Sequence, residues 1–305
     1  MKTLHLHTVE SISDPIRFID YAQGFDLYKV VYPSRQGLKK AIEKGAFYID
    51  NEKANTGTWI KEGQKIEWIE LIKPKTKSYQ LDLEVVFEDE YMAVVVKPAG
   101  ILVSGNQFKT LSNALSENLN VSNEPDALNL PRTVHRLDRL TSGLMLVAKT
   151  SRAQIHLSNQ FKNKSIQKRY RAIVKGVFPK ELIVQTSIEG QEASSRCYNV
   201  ACYPSIQNGN ISLVDLYPET GRTHQLRIHT SGQGHPIIGD ALYTKEGEVL
   251  KGKGLFLSAV GIQFIHPIKG VDMKFEIDQP YKFDSLIERE ERRWNKFKSD
   301  KDLPS

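Results

Sequence analysis

The residue best placed to do chemistry in this chain is an aspartate with arginines close on either side. Asp138 lies between Arg136 and Arg139, and an opposite charge within about 4–6 Å favours the ionised form of a carboxyl group. An ionised carboxylate can act as a nucleophile or as a general base. The turn at residues 141–143 then leads into the apolar run 144–148, which is typical of a buried strand. The pattern therefore predicts a charged carboxylate at the entrance to a rigid strand, facing a cleft.

Taken alone, such a charge cluster has an ordinary alternative explanation: a group of solvated surface ion pairs, each worth about 0–1 kcal/mol. The surrounding sequence favours a functional role, because four motifs follow one another along the chain. They are Lys97-Pro98-Ala99-Gly100, His135-Arg136-Leu137-Asp138 with Thr141-Ser142-Gly143, Lys168-Arg169-Tyr170-Arg171-Ala172, and Thr220-Gly221-Arg222-Thr223-His224-Gln225-Leu226-Arg227-Ile228-His229 with Gly234-His235-Pro236-Ile237-Ile238-Gly239-Asp240. Together these motifs resemble those of the RluA-type RNA pseudouridine synthases, over residues 81–279.

The resemblance implies an isomerase, an RNA pseudouridine synthase that acts on specific uridines in structured RNA. The reaction breaks the N-glycosidic bond, turns the base and joins C5 to C1′, and it needs no cofactor or metal. By resemblance, Asp138 is the catalytic carboxylate, Tyr170 packs against the flipped uracil, and Arg227 pairs with the acid as a planar fork. Covalent attack by Asp138 and removal of the ribose 2′ proton stay open as alternatives.

The resemblance also implies how the large domain contacts RNA. A stacked base must be flipped out of the RNA to be reached, at a cost of a few kcal/mol, and Arg136 is expected to fill the vacated space. Arg139 and Lys168 are expected to contact RNA, whereas Arg222 either binds phosphate or lies in solvent. The basic run 162–171 contains an aromatic residue and suits backbone contact and base stacking, although such runs are usually solvated surfaces.

One segment departs from the family pattern. Leu257-Ser258-Ala259 stands where the family often has Leu-His-Ala. A lost packing contact or one lost hydrogen bond is the expected consequence, and the position is not catalytic in the family scheme.

Residues 1–74 form a pattern of their own and predict a small separate domain. Ser34 suits the N-cap of a helix that Gly45 ends, and two short strands are predicted at 46–50 and 64–69. The pattern resembles an S4-like RNA-binding module, and an unrelated small α+β cap is the alternative. Three basic residues of the helix are expected to contact phosphates and to give salt-sensitive affinity: Arg35, Lys39 and Lys40.

The chain is therefore predicted to comprise four parts. They are an S4-like module at 1–74, a linker at 75–80, a catalytic domain at 81–283, and a charged C-terminal helix and tail at 284–305. By resemblance the fold is α+β: a pseudouridine synthase domain with a mixed, mostly antiparallel bent sheet, flanking helices and a central cleft. Apolar runs support strands at 83–88, 91–96, 144–148, 211–216 and 255–264, the last taken as the final strand.

Composition narrows the remaining possibilities. The 305 residues carry a formal net charge of +6, which permits a nucleic-acid partner without demonstrating one. Cys197 and Cys202 are predicted to be reduced thiols. The absence of a signal-peptide pattern and of a long apolar stretch predicts a cytoplasmic protein without a membrane span. Four histidines lack a metal-binding spacing, so no metal is expected: His224, His229, His235 and His266.

RNA is the predicted partner, and the chain is expected to be a monomer. Ribosomal RNA is preferred over transfer RNA, because family members with an S4-like module mostly act on ribosomal RNA. A non-catalytic RNA-binding or ribosome-assembly factor on the same scaffold is the main alternative, which Asp138, Tyr170 and Arg227 argue against. An Asp-dependent glycosidase or nucleosidase is the second alternative, and it would usually need another carboxylate opposite Asp138.

Overall fold

The computed structural model of the protein describes residues 3–12, 14–32, 34–69, 78–245, 250 and 252–301. The chain divides into two compact units, Met1–Lys77 and Ser78–Ser305. The division falls inside the predicted linker 75–80, of which residues 75–77 lie outside the described residues.

The first unit contains short helices and short strands. In chain order they are β1 Thr3–Thr8, β2 Ile16–Arg17, α1 Phe18–Gly24, α2 Asp26–Val31, α3 Arg35–Glu43, β3 Phe47–Ile49, β4 Glu52–Lys53, β5 Trp59–Ile60 and β6 Lys65–Ile69. One sheet has the strand order β1-β6-β3-β4, and β2 pairs with β5 as a separate ribbon. Helix α3 begins as predicted, because the Ser34 side chain accepts a hydrogen bond from the backbone N–H of Gly37. Its apolar face is buried in the core of the unit through Leu38, Ala41 and Ile42.

The second unit contains one large sheet with helices on its faces. In chain order the elements are β7 Val85–Glu88, β8 Met92–Lys97, α4 Leu111–Asn118, β9 Ala127–Thr133, β10 Ser142–Thr150, α5 Ser151–Lys162, β11 Gln167–Lys175, β12 Glu181–Val184, β13 Ser195–Ser205, β14 Gly209–Pro218, α6 Gln225–Gly232, β15 Leu257–Ile265, β16 Asp272–Glu276 and α7 Lys282–Lys301. The strand order is β12-β13-β14-β11-β15-β10-β8-β7, with β16 beside β15 and β9 beside β10.

The strand that follows the Asp138 motif is buried on both faces. Met145 and Val147 of β10 pack in the core that contains the apolar side of α4. Leu144 and Leu146, which point to the opposite face, pack in the core that contains Leu157 of α5. Successive side chains of a strand point to opposite faces, so a strand covered on both sides needs a continuous apolar run. This is why the run at 144–148 is uninterrupted.

Strands β10 and β15 run parallel at the centre of the sheet, in contrast to the mostly antiparallel remainder. Gly143 lies opposite Ala259, and a Cβ atom at Gly143 would stand 2.2 Å from the carbonyl oxygen of Ala259. Glycine is therefore required by close backbone approach, and its φ of +116° is also one that other residues rarely adopt. The hydroxyls of Ser142 and Ser258 lie 3.1 Å apart across the same pair, so the buried Ser258 has a hydrogen-bond partner where the family often has histidine.

The mixed, mostly antiparallel sheet with flanking helices confirms the predicted α+β class. Two details differ from the prediction. The strand at 255–264 is not the last, because the chain turns after β15 and pairs back on it as β16. The C-terminal helix begins at Lys282 rather than at residue 284. None of the helices in the described part of the chain has the length and apolar character needed to cross a bilayer.

Candidate active site

A cleft of about 520 Å³ opens in the second unit, between the loop before β10, strand β11 and the segment that leads into α6. Its walls bring together Asp138, Tyr170 and Arg227, although Asp138 and Arg227 are 89 positions apart in the chain. Arg136, Lys168 and Arg222 line the same cleft. Three of the four motifs found in the sequence therefore meet in one space.

The loop that carries Asp138 is held by the remaining motif. The carbonyl oxygen of Arg139 accepts a hydrogen bond from the backbone N–H of Gly100 at 2.7 Å, and the Arg139 side chain donates to the carbonyl of Gly100 at 2.9 Å. Arg139 thus braces the loop, and its side chain is not part of the cleft wall. On the other side of the aspartate, Leu137 is buried in the core next to α4.

Lys97 is a buried cation beneath this loop. Its Nζ donates to the carbonyl oxygens of Pro98 at 2.9 Å and Arg139 at 3.2 Å. Burial lowers the pKa of Lys97 to about 8, and the negative charge of Asp138 opposes that shift. The Lys97-Pro98-Ala99-Gly100 motif therefore fixes the backbone next to the acid and places a positive group near it.

Arg227 is arranged differently from the sequence prediction, which gave its planar fork to Asp138. The fork is bound by Asp240: Nε donates to Oδ2 at 2.7 Å and Nη2 donates to Oδ1 at 2.8 Å. Only Nη1 is directed to Asp138, where it lies 3.5 Å from Oδ2. The side chains of Arg227 and Asp240 are almost fully buried. Asp240 therefore orients the arginine, and the arginine in turn reaches the candidate catalytic acid.

His224 and Tyr243 complete the surroundings of Asp138; from the sequence, His224 was considered only as a possible metal ligand and Tyr243 was not singled out. His224 Nε2 lies 3.9 Å from Oδ2 of Asp138, and its Nδ1 lies 2.9 Å from the Tyr243 hydroxyl. The Tyr243 ring faces the Arg227 guanidinium at 5.0 Å. His224 has a left-handed backbone, with φ of 55°, immediately before α6. Such strained non-glycine residues are found preferentially at functional sites.

Strand β11 presents its basic motif to two different spaces. Lys168 and Tyr170 line the cleft, whereas Arg169 and Arg171 line another depression and pair with Asp215. The strand alternation of side chains accounts for this division. Burial, and then the nearby Asp138, raises the pKa of Tyr170, so its hydroxyl stays protonated at neutral pH. The basic run is therefore not one continuous surface.

The other predicted RNA-contacting residues occupy varied positions. Arg136 is exposed at the cleft, while Nε of Arg222 donates to the backbone carbonyl of Glu192 at 3.0 Å. In the first unit, Arg35 and Lys39 pair with acidic neighbours, and Lys40 is exposed; the partners are Asp20 at 2.5 Å for Arg35 and Glu43 at 3.9 Å for Lys39.

The late histidines make separate structural contacts. His229 bonds to Ser195 and Thr186, and His235 bonds to the carbonyl of Lys175. His266 lies 2.9 Å from Asp89. Within the described ranges, no group of three or more histidine, cysteine or acidic side chains is arranged to hold a metal ion.

His135, the first residue of the Asp138 motif, predicts a measurable pH dependence of stability. Its Nε2 accepts a hydrogen bond from the backbone N–H of Leu146 at 2.9 Å, and its ring stacks on Phe161. Burial, and then Lys168, lowers the pKa of His135 to about 3. Between that value and its ordinary pKa near 6.5, the unfolded chain binds the proton and the folded protein does not. The free energy of unfolding therefore falls as the pH falls through this window, by at most about 1.4 kcal/mol per pH unit.

His135→Gln keeps an acceptor for the Leu146 amide but cannot titrate. We expect its free energy of unfolding to depend less steeply on pH than that of the unmodified protein. Urea unfolding at several pH values between 7 and 4, which lie largely between the two pKa values of His135, measures the difference between the two pH dependences. Parallel pH dependences for the two proteins would show that His135 has the same pKa in the folded and the unfolded state.

Comparisons with known proteins identify the family of the chain. Residues 91–232 match the family model of RNA pseudouridylate synthases. An uncharacterized RNA pseudouridine synthase of Aquifex aeolicus is 32% identical over 286 residues, which cover 84% of this chain and 89% of that protein. The ribosomal large subunit pseudouridine synthase D of Pseudomonas aeruginosa is 33% identical over 278 residues, covering 82% and 85%.

A solved structure supports the fold independently. The human RNA Pseudouridylate Synthase Domain Containing 1 aligns with a TM-score of 0.56 at 22% identity, covering 69% of this chain and 87% of its own.

The matched family region contains Asp138, Tyr170 and Arg227, the three residues that meet in the cleft. The chain therefore belongs to the RNA pseudouridine synthase family, as a member of its RluA-type branch.

Proposed function

We propose that this pseudouridine synthase acts on ribosomal RNA and that Asp138 is its catalytic carboxylate. The observation that carries the proposal is the geometry of the cleft, in which Arg227 reaches the carboxylate of Asp138 and Tyr170 stands in the same wall. The relatives that share most of the chain's length support the substrate class, because several are named as synthases of the large ribosomal subunit. The three residues also favour catalysis over the role of a non-catalytic assembly factor.

The contacts of Asp138 indicate which of its oxygens reacts. Arg227 and His224 both approach Oδ2. This arrangement directs Oδ1 to the substrate, where it attacks covalently or removes the ribose 2′ proton. A positive partner at Oδ2 stabilises the ionised carboxylate that either step requires. Asp240 serves a different purpose, because its oxygens bind the Arg227 fork and the backbone N–H groups of Leu242 and Tyr243.

The remaining residues of the cleft suit a flipped nucleotide. A guanidinium plane can stack on bases, and Arg136 is exposed at the wall, where it can replace the flipped uridine in the stack. Lys168 and Arg222 add positive charge near the entering phosphates. The reaction rearranges one nucleotide without oxidation or hydrolysis, so the side chains of the cleft, with Asp138 as the reacting group, suffice for it without a cofactor.

Mapping of pseudouridines tests the function and the substrate class together. Total RNA from cells with and without the gene is compared position by position, and the purified protein is then added to RNA from the deletion strain. We expect at least one position of large-subunit ribosomal RNA to lose its pseudouridine and regain it on addition. Loss confined to transfer RNA would refute the substrate class. Unchanged RNA and an inactive purified protein would refute the enzymatic assignment.

Tyr170 offers a prediction about the division between packing and proton transfer. Because its pKa is raised, the hydroxyl is not a base at neutral pH, and the ring is the part that holds uracil. We expect Tyr170→Leu to lose activity by orders of magnitude and Tyr170→Phe to retain more of it. Single-turnover pseudouridine formation measures both variants, with RNA binding measured separately. Equal losses in the two variants would assign the hydroxyl to the chemistry.

We also propose that the first unit is an S4-like RNA-binding module. It has a core of its own and carries Lys40 exposed on α3. A chain that begins at Ser78 is expected to fold and to bind RNA more weakly, with a salt slope shallower by roughly 0.7 for each lost phosphate contact on single-stranded RNA. Binding titrations at several salt concentrations measure this. An unchanged slope and affinity would mean that the unit does not contact RNA.

The protein is further proposed to be a cytoplasmic monomer. Cys197 and Cys202 are free thiols, which suits a reducing compartment. Size-exclusion chromatography with light scattering tests the monomer directly, since a dimer would double the mass of 34.6 kDa.

A further inference from the structure

A second groove, of about 990 Å³, adjoins the candidate active cleft and has no role in the function proposed so far. The two spaces have several lining residues in common: Lys164, Ile166, Lys168, Pro218, Glu219 and Thr220. When one nucleotide of an RNA strand occupies the cleft, this groove is therefore the space next to it for a neighbouring nucleotide. The groove has nearly twice the volume of the cleft, which is sized for one nucleotide under the proposed function.

The groove walls carry groups that suit nucleobases. Tyr198 of β13 and Tyr217 of β14 are half-buried, with ring centroids 5.7 Å apart in an edge-to-face arrangement. Gln167, Gln185 and Ser187 add amide and hydroxyl groups to the same space. Single-stranded RNA is recognised through base faces stacked on aromatic rings and base edges bonded to polar side chains. The walls offer both kinds of contact.

The charges in the groove are partly neutralised within the protein. Arg196 Nε donates to Glu219 Oε1 at 2.6 Å, and the same carboxylate accepts a bond from the Ser194 hydroxyl at 2.6 Å. Three basic side chains line the groove against two acidic ones: Lys164, Lys168 and Arg196 against Glu192 and Glu219. This small positive excess suits one or two phosphates rather than the backbone of a duplex.

We propose that the groove binds an unpaired nucleotide next to the target uridine in the same RNA strand, with its base against Tyr198 and Tyr217. The proposal rests on the function proposed above and refines it. The enzyme reads a flanking base as well as the uridine, so its substrates carry an unpaired nucleotide beside the modified position.

A cycle that combines protein and RNA changes tests the proposal. The probe is the ribosomal RNA stem-loop that contains the mapped uridine, prepared with a single abasic site at each neighbouring position in turn. Pseudouridine formation is measured with the unmodified protein and with Tyr198→Leu. We expect one abasic position to raise KM about tenfold with kcat little changed, because stacking contributes about 1–3 kcal/mol per base. Tyr198→Leu should raise KM similarly on the intact RNA and add little on that abasic RNA.

Two further variants serve as a second test of the groove and as a control outside it. Gln185→Ala changes an exposed side chain of the groove and should raise KM without affecting folding. Tyr281→Leu removes a tyrosine that is 78% exposed and lies outside the groove, and it should behave as the unmodified protein. If the effects of Tyr198→Leu and of every abasic site on KM multiply independently, the proposed base-binding role of the groove is wrong, while the proposed function stands. An unmodified protein that forms no pseudouridine would overturn both.

Discussion

Asp138→Asn is expected to abolish pseudouridine formation while RNA affinity stays within a few-fold of the unmodified protein. The amide has nearly the same shape, and its oxygen can still accept a hydrogen bond from Arg227, whose Nη1 lies 3.5 Å from Oδ2 of Asp138. It carries no negative charge, however, and is neither a useful nucleophile nor a useful base. Removal of a group that acts in the transition state lowers kcat by orders of magnitude.

Single-turnover kinetics on the mapped RNA, with affinity measured separately, separates chemistry from binding. Asp82→Asn is a matched control, since it makes the same chemical change at an exposed acid outside the cleft, and it should leave activity unchanged. Activity of Asp138→Asn above about 1% of the unmodified protein, against the losses typical of a removed nucleophile, would contradict the assignment of Asp138.

The local features of the fold were predictable because local hydrogen bonds create them. Ser34, Thr110 and Thr150 each cap a helix through a bond to the backbone three residues later, a pattern visible in the sequence. The opposite orientations of Lys168 and Arg169 follow from strand alternation. The interpretation of residues 162–171 as one basic run overlooked that side chains of a strand alternate between its two faces.

The immediate environment of Asp138 was not predictable in the same way. The partnership of Arg227 with Asp240 depends on how the chain returns after α6, and no spacing rule specifies such a return. The same is true of His224, whose left-handed backbone points its ring to Asp138 and Tyr243. Lys97 was recognised in the sequence only as the first residue of a motif, but its bond to the Arg139 carbonyl requires strands β8 and β10 to be neighbours. The sequence thus supplied the candidates for the reacting residues, and the structure supplied the residues that surround them.

The second large effect is expected at Arg227 and at Asp240, the buried carboxylate that binds its guanidinium. Arg227→Ala should lower kcat by at least about 100-fold, because it removes a group that orients the acid. Arg227→Lys should recover little of this, since one ammonium cannot replace a planar fork that bonds Asp240 and Asp138 together. Breaking a buried ion pair also costs about 3–5 kcal/mol of stability. Each variant is therefore checked by thermal unfolding before its kinetics are compared.

Asp240→Asn tests whether the anchor acts through the arginine. Its amide oxygen can still accept the backbone bonds of Leu242 and Tyr243, whereas its NH₂ group meets an N–H of the Arg227 fork. We expect a fall in kcat with KM little changed. We also expect Arg227→Ala combined with Asp240→Asn to be no slower than Arg227→Ala alone, because residues that act as one unit give non-additive losses. Multiplying losses would instead show that Asp240 contributes to catalysis by a route other than the orientation of Arg227.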